Sequence, residues 1–110
     1  MQINLNLLHK LYETAFRVRF IEELIADNYN KGYMRCPTHL SIGQEIVPSV
    51  LSLFNDLNDL AVSSHRAHGH YLGKGGSIKR FLDELHGLST GCSSGQGGSM
   101  HLIDKSVGFM

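Results

Sequence analysis

Neither sign of charge is in excess: ten basic and ten acidic side chains leave a formal net charge of +0, so no overall field draws the chain to nucleic acid or to an anionic membrane surface. Any anion site must therefore be local. No stretch approaches the roughly 20 consecutive apolar residues that span a bilayer. The start, Met-Gln-Ile-Asn-Leu-Asn, lacks the basic segment and apolar run of a secretory leader, which makes a soluble cytoplasmic protein the expectation. The only cysteines, Cys36 and Cys92, are far apart and outside any CxxC spacing, so neither a zinc knuckle nor a redox pair is indicated and reduced thiols are expected. No internal repeat is visible. What is present, 42% hydrophobic and 18% charged residues in 110, is ordinary for one small globular domain.

Apolar residues recur at Leu7, Leu11, Ala15, Val18, Ile21 and Ile25, a spacing of three and four that predicts one helix from Leu5 to about Tyr29. Leu8, Tyr12, Phe16, Phe20 and Leu24 repeat at strict fours beside that face, so the helix is expected to pack on two sides before Gly32 stops it. Ser41 and Gln44 have the form of a capping box and predict a second helix from near Ile42, with Pro48 forcing either a bend or a start closer to itself. After a turn-rich stretch, Leu60 to Ser63 reads as a short buried strand ending at His65. Ser77 is an N-cap for a further helix through Leu85, which Gly87 ends. From Ser89 to Ser99 the chain is too rich in glycine and serine for regular structure and is expected to be a loop.

Three clusters mix histidine with glycine or hydroxyls: Thr38 to Glu45, Ser63 to His70, and the glycine-rich stretch closing on Ser99-Met100-His101-Leu102. His65 and Arg66, at the carboxyl end of the predicted strand, suit an anion, because the guanidinium fork matches phosphate oxygens. The alternative is a surface ion pair at Arg66 and a satisfied polar ring at His65. His65, His68 and His70 also raise a metal-binding reading, which a stretch containing Gly69 supports poorly. Gly73 to Ser77 could offer free amides to phosphate, or simply cap the helix that follows. His39, expected just ahead of a helix start, is either a neutral donor-acceptor or a structural hydrogen-bond partner.

Taken together and in order, HLSIGQE, SSHRAHGHYLGKGG, IKRFLDELHG and TGCSSGQGGSMHL resemble the alpha subunit of the thiamine-diphosphate-dependent 2-oxo-acid dehydrogenases, the decarboxylating first component of pyruvate, acetoin or branched-chain type. The similarity runs from about Met34 to Phe109, and weakly through the N-terminal helix. It implies an α/β class: the N-terminal part of a thiamine-diphosphate-binding fold, mostly helical, with a short parallel-sheet strand and a long glycine-rich loop. Residues 1–32 would be an N-terminal helix and 33–110 a cofactor-site segment.

By the same resemblance His65 and Arg66 hold the diphosphate of the cofactor, His39 lines the substrate end of the pocket, and Ser99, His101 and Asp104 lie near the cofactor, with His39 and His101 as the catalytic candidates. The implied partners are a beta subunit, a lipoyl-bearing acyltransferase that receives the acyl group, and a 2-oxo-acid substrate, in a hetero-oligomer. Magnesium is implied as well, but the GDG motif and later asparagine that hold it in the family are absent here. The chain is accordingly expected to be a fragment, truncation or split subunit, inactive when isolated. Pro48 departs from the small helix formers usual at its place. Two rival expectations are a small metal-binding module built on the histidine cluster and a non-catalytic interaction module.

Overall fold

The computed structural model describes residue 2 and residues 4–110; positions 1 and 3, within the expected N-terminal unit 1–32, lie outside the described residues. Among the described residues four helices follow one another, α1 (Leu5–Tyr29), α2 (Ile46–Phe54), α3 (His68–Gly73) and α4 (Ile78–Leu85), and two 3-10 turns come after them, Gly98–Met100 and Lys105–Val107.

The side-chain oxygen of Asn4 accepts the Asn6 and Leu7 amides and so starts α1, and Asn30 caps its far end. Gly32 follows at φ +79°, a left-handed conformation that costs glycine little. At 25 residues α1 is about 37 Å long, and it sets the long dimension of a body 48 × 29 × 20 Å. Only its C-terminal half reaches the core, through Val18, Ile21, Glu22 and Ile25. Leu7 and the whole fourfold stripe from Leu8 to Leu24 are exposed, so within this chain the helix packs on one side rather than two.

The second helix departs from the expected capping box. Ser41 does not cap it: the Ser41 hydroxyl accepts the Gly69 amide at 3.3 Å, and the Ser41 carbonyl accepts the Gln44 amide in a tight turn. Helix α2 begins only at Ile46, which puts Pro48 in its first turn, where a missing amide costs no helical hydrogen bond. His39 is therefore not adjacent to a helix start. Pro48 serves packing instead. A Cβ at Gly69 would lie 2.9 Å from its ring, and one at Gly73 would lie 3.0 Å from its carbonyl oxygen, so these two glycines, four apart on α3, let the helices meet closely.

The predicted strand is also corrected. Leu60 and Val62 are 75% and 80% exposed, and Ala61 alone makes an isolated parallel bridge to Phe109; no multi-residue strand occurs among the described residues. An apolar run of four residues carries no periodicity to separate a buried strand from a surface crossing. The short helix α3, by contrast, was not anticipated, since glycines at 69 and 73 mask it. Ser77 caps α4 as expected, accepting the Arg80 amide, and Gly87 follows its end at φ +70°.

The core gathers Val18, Ile21 and Ile25 of α1 against Tyr71, Leu72, Phe81, Leu85, Leu102 and Phe109. Its centre is aromatic: Tyr71 lies 5.7 Å from Phe81 and 5.6 Å from Phe109, the latter edge to face. Burial pushes the Tyr71 phenol far above its usual range, and its hydroxyl donates to the Ser77 carbonyl at 3.0 Å.

Candidate functional site

His65 and Arg66 lie in the connection between the Ala61 bridge and α3, not at the end of a strand. The rings of His39 and His65 meet edge to face, 4.9 Å between centroids and 76° between planes. Two of the candidate histidines, 26 positions apart, are thus brought together. Arg66 is exposed and its guanidinium enters no ion pair among the described residues. It borders an open cleft of about 370 Å³ whose wall includes Ser41, Gln44, Ser64 and His70. A cation without a carboxylate partner beside a concave, partly polar surface can take an anion.

The turn that follows His39 is held to α1 at two points. Glu45 pairs with Arg19 of α1 and accepts the Gly43 amide at 2.8 Å. The Arg19 guanidinium is the main reason that the Glu45 carboxyl lies below the usual carboxylate range, against the opposing effect of burial. One turn further along α1, Glu22 accepts the Ser41 amide at 2.6 Å.

The glycine-rich stretch is not an open loop awaiting a ligand. Its amides converge on one carboxylate: Ser93 and Gly95 donate to Glu84 Oε2 at 2.7 and 2.9 Å, and Gly97 and Gly98 to Oε1 at 2.8 and 2.9 Å. Such a nest of amides would suit a phosphate, but Glu84, 1% exposed, already fills it. Burial pushes the Glu84 carboxyl up, and the amides of Gly95, Ser93, Gly98 and Gly97 together outweigh that and hold it below its ordinary 4.5.

Ser99 and Asp104 are both buried and engaged. The Ser99 hydroxyl is 2.6 Å from His68 Nε2. Asp104 accepts the Ser77 amide at 3.1 Å and the Ser106 hydroxyl at 2.6 Å, so the anion at the start of α4 is the chain's own carboxylate. His101 is exposed and its carbonyl accepts the Ser93 hydroxyl. His68 has both ring nitrogens occupied, by Glu22 and Ser99, which removes it from the three-histidine metal reading. Among the described residues no group of three His, Cys, Asp or Glu side chains could hold a metal ion.

The sequence profile of the dehydrogenase E1 component matches residues 12–110. The chain belongs to this family. Among its relatives are the pyruvate dehydrogenase E1 component subunit alpha-3, chloroplastic, of Arabidopsis thaliana, 41% identical over 87% of this chain and 22% of the relative. The alpha subunit from Porphyra purpurea is 40% identical over 99% of this chain and 32% of the relative, and that from Rickettsia typhi 40% over 86% and 29%. This E1 chain thus spans between about a fifth and a third of the length of the relatives it matches.

Glu22 and Glu84, the two carboxylates that organise the site segments, were not singled out by their motifs. A signal for both exists. Glu22 stands between Ile21 and Ile25 on the apolar face of α1, and Glu84 between Phe81 and Leu85 on that of α4, positions where a carboxylate must be compensated. No helix among the described residues is long and apolar enough to cross a membrane.

Proposed function

We propose that this chain supplies the diphosphate-binding and substrate-side residues of a thiamine-diphosphate-dependent 2-oxo-acid dehydrogenase, as part of its alpha component. The observation that carries this reading is the exposed Arg66 guanidinium, without an ion-pair partner among the described residues, bordering an open cleft one residue after His65, whose ring meets that of His39. The relatives are named as pyruvate dehydrogenase subunits, which favours pyruvate or a close 2-oxo acid as substrate.

Arg66 would bind the diphosphate through its fork of N–H donors, with His65 adding a ring N–H. The cofactor, when bound, supplies the electron sink that makes loss of carbon dioxide from a 2-oxo acid feasible. His39, held edge-on by His65, would offer a ring nitrogen to the substrate, and His101 would act near the cofactor. The glycine-rich stretch would shape that pocket without binding phosphate, since its amides are committed to Glu84. Ser99 and Asp104 would act near the cofactor through the segments they hold, not through free side chains. Magnesium has no fitting set of ligands among the described residues. A beta subunit would complete the site in a hetero-oligomer, and a lipoyl-bearing acyltransferase would take the acyl group.

Calorimetric titration with thiamine diphosphate and magnesium, in the presence of the beta subunit, tests the proposal. Saturable binding that Arg66→Ala abolishes is expected, with no turnover of 2-oxo acid by the chain alone. Absence of binding in the unsubstituted assembly, or equal binding by Arg66→Ala, would overturn it.

A further inference from the structure

Glu22, His68 and Ser99 form one hydrogen-bonded chain in the interior. Glu22 Oε1 lies 2.6 Å from His68 Nδ1, and His68 Nε2 lies 2.6 Å from Ser99 Oγ. The three residues are 0%, 0% and 1% exposed. Glu22 Oε2 extends the chain by accepting the Ser41 amide at 2.6 Å. A carboxylate oxygen accepts, so Nδ1 donates toward Glu22, and in the tautomer with its single hydrogen there Nε2 accepts the Ser99 hydroxyl hydrogen.

Carboxylate, imidazole and hydroxyl in this order can activate a serine nucleophile. Ser99 is too secluded for that, because no substrate atom reaches a hydroxyl that is 1% exposed. The node has a different property. Ser41 is two residues after His39, His68 two residues after Arg66, and Ser99 two residues before His101. Each of the three histidine-bearing clusters is therefore tied to the same buried imidazole or its carboxylate partner. The tie is rigid as well, because the His68 ring packs edge to face on Phe81 at 4.7 Å.

We propose that His68 is a positioning residue: through Glu22 and Ser99 it sets the separation of His39, Arg66 and His101, and hence the registry of anion site and substrate side. The functional half of this inference rests on the E1 reading of those three side chains. The geometric half does not. Removing the whole His68 ring endangers folding, so the decisive variant is Ser99→Ala, which deletes one oxygen, with Ser99→Thr restoring the hydroxyl.

Two measurements apply to the full chain assembled with its beta partner. Amide hydrogen exchange should accelerate at least tenfold around Met100 to Leu102 in Ser99→Ala, while the core amides of α4 keep their protection. The kcat for 2-oxo-acid decarboxylation should fall about tenfold or more with the substrate KM changed less than threefold, and Ser99→Thr should recover most of it. A nitrogen-15 spectrum of labelled histidine should show His68 as the Nδ1-protonated tautomer, a signature lost in Glu22→Gln. Exchange and kcat both unchanged in Ser99→Ala, a uniform loss of protection across the chain, or the opposite tautomer would each overturn the proposal. Should the unsubstituted assembly bind no thiamine diphosphate, the E1 reading fails on its own, while the exchange pattern and the tautomer still decide whether His68 positions these segments.

Discussion

Gly98 donates its amide to Glu84 Oε1 at 2.9 Å, across 14 positions of sequence, and so turns a glycine-rich stretch back onto the helix that precedes it. Three further amides do the same, and the carboxylate takes the place that an external anion occupies in other amide nests.

Replacing Glu84 by alanine leaves the half-buried amides of Ser93, Gly95, Gly97 and Gly98 without their acceptor. Each unsatisfied buried group costs about 1–3 kcal/mol, partly relieved when water enters. A net loss on the order of 3 kcal/mol or more is expected in urea unfolding. Acetate or formate in the buffer should recover part of it, because a small carboxylate fits the space vacated.

Acid should weaken the same region. Burial raises the carboxyls of Glu84 and Asp104, but hydrogen bonds outweigh it in both, for Asp104 chiefly those of the Ser106 side chain and the Ser77 and Ser106 amides. Their folded values lie below the ordinary 4.5 and 3.8. As pH falls the unfolded chain takes up these protons first, so the stabilisation is complete above about pH 5 and is lost as pH drops through the folded values. Unfolding free energies measured from pH 6 down to pH 3 should fall steeply at the acid end, and less steeply in Glu84→Gln.

Gly95→Ala should be poorly tolerated. The residue sits at φ +74°, and a Cβ would lie 2.6 Å from the Gly87 carbonyl carbon and 2.6 Å from the Leu88 carbonyl oxygen, backbone atoms that cannot swing aside. Left-handed strain and overpacking together are expected to cost about 2–4 kcal/mol, read as a lowered thermal midpoint.

Ser77→Ala removes the hydroxyl that caps α4 at Arg80 N. A loss of about 1 kcal/mol is expected in chemical denaturation. Loss of more than twice that would mean that the cap also secures the Asp104 contact to the Ser77 amide.

Local rules reached α1, the Ser77 cap and the Gly87 stop, because periodicity, a capping hydroxyl and a left-handed glycine act within a few residues of chain. The capping box read at Ser41 does not form, since Ser41 gives its oxygen to Gly69 on another element, and α2 takes the start nearer Pro48 that the proline also allowed. The same local rules missed α3, whose glycines answer to Pro48. They also read Leu60 to Ser63 as buried, where only Ala61 meets another segment.

Family membership, and Arg66 as a candidate anion contact, can be read from residue order alone, because motifs at set separations need no coordinates. What each polar group touches cannot be. The choice of Glu84 over a ligand for the glycine amides, the pairing of His39 with His65, and the burial of Ser99 against His68 all join positions far apart in the chain. Such contacts depend on how α1, α3 and α4 close around one core, and a buried donor or acceptor takes whichever partner that closure brings within reach.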